Sequence, residues 1–152
     1  LGRPGPAGAQ GIQGPPGERG KTGPPGSLEV GSIEVLASGH SESGFYAAGS
    51  GGGESGYIAQ GVTFRQSLAQ AISPGYAVWL PTGETTANCP GVGTAAPGYL
   101  CLYDNEEYHV ELCCIYDDAL DEPAADKNGF IVYWEPSNPE AYVSGEYTVT
   151  AP

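Results

Sequence analysis

Glycine recurs at every third position, at Gly2, Gly5, Gly8, Gly11, Gly14, Gly17, Gly20, Gly23 and Gly26, without a slip. The triplets read GRP GPA GAQ GIQ GPP GER GKT GPP GSL and end at Leu28. Three polyproline-II strands wind together only where the residue on the crowded axis has no side chain, so this period predicts a collagen-type triple helix. Proline in the other two positions pre-sets φ for that geometry. At ~3 Å per residue the segment forms a rod of roughly 80 Å. A disordered Pro/Gly linker, the competing reading, gives no reason for nine triplets to stay in phase. One ordinary globular domain is excluded for the whole chain. Residues 29–152 hold all four Cys and all of the aromatics, enough for one modest core.

Charge divides at the same border. Residues 1–28 carry Arg3, Arg19 and Lys21 against Glu18, a net of +2, whereas 29–152 carry Arg65 and Lys127 against 17 acids, a net of −15. So acidic a body repels nucleic acid and anionic membranes and favours cations or basic partners. No apolar run approaches the ~18 residues needed to cross a bilayer, so no membrane insertion is expected of this chain. Beginning at Leu1 in mid-repeat, it reads as a fragment or processed form, with any leader or anchor outside it.

Within the repeat, Glu18 can pair with Arg19 or Lys21 of a neighbouring strand, each exposed pair contributing at most ~1 kcal/mol while helping to set register. The stretch Gly14 to Arg19, GPPGER, resembles the GxxGER sites by which collagens engage integrins, with Glu18 for the receptor's metal ion and Arg19 for an acidic surface. It departs at Pro15, where stronger motifs carry a bulky apolar residue. A charge pair that stabilises the stalk accounts for the same residues.

Beyond Leu28 the glycine period stops and alternation of period two begins. Strands are expected near 31–37, 43–48, 57–64, 66–72, 76–80, 99–103, 108–116, 129–134 and 145–151. Phe64, Leu68, Ala71 and Ile72 also fit a helical stripe, but the flanking strands favour extended structure. Turn signals such as Pro74-Gly75, Asn128-Gly129 and the glycines at 51–53 separate the strands, which points to a β-sandwich or jelly roll. Asp104-Asn105-Glu106-Glu107 reads as a hairpin turn between Tyr99–Tyr103 and Tyr108–Tyr116.

Four Cys in such a chain suggest disulfides and an extracellular or cell-surface location. Cys89 and Cys101 flank a short flexible loop, whereas the adjacent Cys113 and Cys114 would point to opposite faces of a strand and could join only in a strained ring. Three connectivities stay open. Cys89 to Cys101 is preferred, with one of the other two buried as a small apolar group or used between chains.

The body also carries CPG at Cys89, then Ala96-Pro97-Gly98-Tyr99-Leu100-Cys101-Leu102-Tyr103, then Gly129-Phe130, and the ending Gly145-Glu146-Tyr147-Thr148-Val149-Thr150-Ala151-Pro152. It resembles a family of exported actinobacterial proteins of undefined activity, patterned CPG, APGxLCxY and GxWxVTAP. The resemblance implies a secreted β domain in which Cys89 and Cys101 pair. Joined to the repeat, the whole is similar to a bacterial collagen-like protein with a C-terminal trimerisation domain. Tyr147 replaces the usual Trp, and the Cys113-Cys114 pair has no counterpart.

No catalytic constellation accompanies the two His, His40 and His109, and no GxSxG motif occurs, so no enzyme is expected. His109 and Cys113 could share a strand face as a metal pair, but a satisfied or solvated histidine explains His109 equally simply. Asp117, Asp118, Asp121 and Asp126, with Glu122 and Asn128, form the candidate calcium site because hard cations want clustered oxygens. Their spacing is not that of an EF-hand, and a solvated acidic loop is the plainer reading.

The expected function is structural. Residues 29–152 form a homotrimer that registers the three collagen strands, with Phe45, Tyr46, Phe64, Tyr76, Trp79, Tyr133 and Trp134 as interface candidates. The alternative is a receptor- or glycan-binding head of a stalked adhesin or phage fibre.

Overall fold

The computed structural model describes residues 2–8, 10–11, 13–14, 34–50 and 56–152. The chain divides into two units, Leu1–Val30 and Gly31–Pro152. In the first, the described residues are exposed and have neither helix nor strand. A Cβ added at Gly2, Gly5, Gly8, Gly11 or Gly14 meets nothing within 4 Å. Gly17, Gly20, Gly23 and Gly26, the Glu18-Arg19 motif, the strand start at 31–33 and the glycines at 51–53 lie outside the described residues.

The second unit is all β. Its strands are β1 (Ser41–Gly49), β2 (Ile58–Thr63), β3 (Ala77–Leu80), β4 (Leu100–Tyr108), β5 (Val110–Tyr116), β6 (Gly129–Pro136) and β7 (Tyr142–Thr150). They form a four-stranded sheet ordered β1-β7-β4-β3 and a three-stranded sheet ordered β2-β6-β5. No helix occurs among the described residues, and so none long and apolar enough to cross a membrane. Every pairing is antiparallel except β3 with β4, a parallel pair that distinguishes this sandwich from an antiparallel jelly roll.

The alternation read from sequence places one face of each sheet in a shared interior. Along β6, Phe130, Val132 and Trp134 are buried while Ile131, Tyr133 and Glu135 point the other way. Along β7 the inward set is Val143, Gly145, Tyr147 and Val149. Tyr46 stacks on Trp134 with centroids 5.8 Å apart, and Tyr147 meets Phe130 edge-on at 5.6 Å, so aromatic pairs join the two sheets. Trp134 Nε1 is the one buried side-chain polar atom without a partner among the described residues. Gly44 and Gly145 admit these rings: a Cβ at Gly44 would strike the Tyr147 ring, and one at Gly145 would strike the Tyr103 carbonyl and the Tyr46 phenol.

Three expected elements differ. Residues 66–72 form neither strand nor helix; Leu68 and Ile72 are buried and make single bridges to Leu36 and Ala125. Around Leu36, the described part of the first expected strand has only that bridge. The hairpin is absent because β4 runs on through the acidic segment, paired to β7 with a register shift between Asp104 and Glu106. At His109, with φ of 54°, the chain leaves one sheet and enters the other as β5. The polar run that looked like a turn is held in a strand by its partner.

Candidate functional site

Parallel β3 and β4 need a crossover, and residues 81–99 supply one without regular structure. This segment packs on the outer face of the four-stranded sheet at β4 and β7. Cys89 is bonded to Cys101 of β4, with Cα atoms 5.8 Å apart, and both are fully buried with Leu80 and Tyr103 in a second small core. The Tyr103 hydroxyl donates to the Thr94 carbonyl at 2.7 Å, and Thr150 Oγ1 donates to that of Ala95 at 2.8 Å. The motif residues around Cys89 and Cys101 therefore form a pinned flap over β4 and β7.

The other end of the sandwich is open. β3 is the edge of one sheet and β5 the edge of the other, and between them lies a cleft of about 490 Å³. Trp79 and Val78 line it from β3, Leu112, Cys113 and Cys114 from β5, and Glu122 and Pro123 from the loop beyond. Cys113 and Cys114 are bonded to each other, which corrects the separate fates expected for them. Cys113 has no partner in the β5–β6 register, so strict alternation fails at that point and the two adjacent side chains can meet. The bond also leaves Cys113 no thiol to share a metal with His109.

Behind the cleft stands a buried acid. Asp104 is 4% exposed, accepts the Tyr46 hydroxyl on one oxygen, and accepts Trp79 Nε1 at 2.7 Å on the other. Burial pushes its pKa up to about 7, the nearby Glu107 adding to the rise and the bonds from Tyr46 and Trp79 opposing it. Tyr46 is pushed up in turn, by burial first and then by Asp104. The network fixes the Trp79 indole where it lines the cleft. A second buried carboxylate, Glu42, accepts the Arg65 and Gln66 amides at 3.0 and 2.9 Å and the Tyr147 hydroxyl at 3.2 Å, and thereby ties β1 to the segment after β2. Both acids escaped a reading of sequence. Asp104 sits in a run that resembles a turn, and Glu42 sits in a serine-rich stretch.

The interface candidates separate by burial. Tyr46, Phe64 and Trp134 belong to the domain's own core, at 3%, 5% and 0% exposure, which removes them from any contact between chains. Trp79 is partly buried and lines the cleft. Phe45 is 78% exposed on the outer side of β1, and Tyr76 is exposed beside Tyr99. Tyr133 lies on the outer face of the three-stranded sheet between Tyr57 and Tyr116, at centroid distances of 6.0 and 5.6 Å.

In the acidic run a carboxylate serves the chain's own turn. Asp117 Oδ1 accepts the amides of Ala119 and Asp121, both at 2.9 Å, so its oxygen closes its own turn. Among the described residues no three His, Cys, Asp or Glu converge as metal ligands, and Asp117, Asp118, Asp121 and Asp126 are all described. The two disulfides suit an oxidising environment. No protein-family model, curated protein or solved structure matches the chain.

Proposed function

We propose that this is a structural stalk-and-head protein of the extracellular space or cell surface: three copies wind their Gly-X-Y segments into a collagen triple helix, and the β domain associates as a homotrimer that nucleates it and sets its register. The observation that carries this reading is the unbroken glycine period from Gly2 to Gly26. A Cβ at the five described glycines of the repeat meets nothing within 4 Å, so intrachain packing at those five does not account for the period. Contact with other strands does.

The three-stranded sheet supports the head's part in this reading. The flap of residues 81–99 packs on the outer face of the other sheet at β4 and β7, whereas here Tyr57, Tyr116, Ile131 and Tyr133 stand beside the small exposed residues Ala59 and Gly61. Aromatic side chains around small ones suit close approach of a second sheet. Holding three heads together raises the effective concentration of the strands and offsets the entropy of bringing them into register.

Light scattering on residues 1–152 tests the reading, with the expected mass three times 15.6 kDa. A Cβ at Gly61 meets nothing within 4 Å, so Gly61→Arg leaves the folded head intact and is expected to yield monomers and abolish the triple-helix circular dichroism signal. A monomeric parent overturns the proposal. A trimer indifferent to Gly61→Arg moves the interface off this face.

A further inference from the structure

The cleft between β3 and β5 has a chemistry that self-association leaves unused. Its walls are preorganised: Trp79 is tethered through Nε1 to Asp104, and facing it Leu112 is joined by Cys113 and Cys114, whose mutual bond removes their side-chain freedom. Its volume, about 490 Å³, is that of a small-molecule site. Glu122 is the one ionisable side chain in its lining; it is exposed, with the Tyr116 hydroxyl beside its carboxylate. No base competes for it there. Arg65, which donates to the Ser43 carbonyl, and Lys127 are the one arginine and the one lysine in residues 29–152, and neither they nor His40 and His109 line the cleft.

We propose that this cleft binds a small organic ammonium ion, with its alkyl groups between the Trp79 indole and the Cys113–Cys114 wall and its charge answered by Glu122. Indole is the aromatic side chain that best attracts a cation to its face, and a carboxylate at the same site adds a direct counter-charge. The surrounding field acts in the same direction, because 17 acids against two bases in residues 29–152 concentrate cations at the surface and repel anionic ligands. A neutral ligand of the same shape gains the apolar contact and neither electrostatic contribution. The site lies within one copy of the head, so its occupancy stands or falls independently of trimerisation.

The test is a titration of the full chain with choline and with 3,3-dimethylbutan-1-ol, its uncharged analogue, followed by calorimetry and tryptophan fluorescence. With Trp134 fully buried, a ligand in the cleft is reported by Trp79. Choline is expected to bind about ten-fold more tightly than the alcohol, to quench the emission, and to weaken as salt is raised. Glu122→Gln, a change at an exposed side chain, weakens choline about five- to ten-fold and leaves the alcohol unchanged. Trp79→Phe removes the quench and weakens binding further. Comparing butylammonium with N-acetyl-lysine amide separates a free amine from a lysine side chain as the source of the group. Equal affinity for choline and the alcohol overturns the proposal. So does glucose binding with quench in the absence of any ammonium effect, or no ammonium binding by chain whose circular dichroism shows it folded.

Discussion

A carboxylate enclosed between two sheets loses its hydration, and Asp104 recovers hydrogen bonds from Tyr46 and Trp79 while Glu107 beside it favours the protonated form. Its folded-state pKa, about 7, stands above its unfolded value of 3.8, so the folded protein holds this proton more tightly. The contribution to stability is complete below about pH 4 and is lost as pH rises through about 7. The melting temperature of the parent is therefore expected to fall between about pH 5 and about pH 8 more steeply than that of Asp104→Asn. Identical slopes in thermal scans would assign the dependence to other groups. Glycines give a second residue-level contrast. Gly145→Ala forces a methyl group against Tyr103 and Tyr46 and is expected to cost more than about 2 kcal/mol in urea unfolding, whereas Gly61→Ala, into open space, costs nothing measurable.

Among the elements, the flap of residues 81–99 depends most on a covalent tie, since it has no regular structure of its own. Removing the bond with Cys89→Ser and Cys101→Ser frees a loop of sequence separation 12 and is expected to lower stability by about 3 kcal/mol. Limited proteolysis provides the check, with cleavage near Gly91 to Gly93 appearing in the double variant before the rest of the domain is cut. This loop was legible in sequence, because two Cys around Pro90-Gly91-Val92-Gly93 can close locally. The Cys113–Cys114 bond was not, since the reading assumed strict alternation and the register slips there. The acidic segment after Tyr103 misled for a related reason: its polarity suits a turn, but pairing with β7 supplies the hydrogen bonds that keep it a strand.

At the scale of the whole molecule, the chain divides into two units, Leu1–Val30 and Gly31–Pro152. Under the proposed trimer, Gly14→Val puts a side chain on the triple-helix axis and is expected to lower the stalk's melting transition while the head's transition stays in place. One merged, shifted transition in calorimetry would show that the two do not melt independently. The sequence by itself determined the glycine period, the acidic balance of the body and its all-β class, because each is written in local periodicity or composition. Only the tertiary structure decided which strands are neighbours, which aromatics are enclosed and where the open cleft lies. Those outcomes depend on contacts such as Ser41 with Thr150, 109 residues apart, and Tyr46 with Asp104, 58 apart. Alternation tells a strand that it has two faces; only the partner brought from elsewhere in the chain decides which face is buried and what it meets.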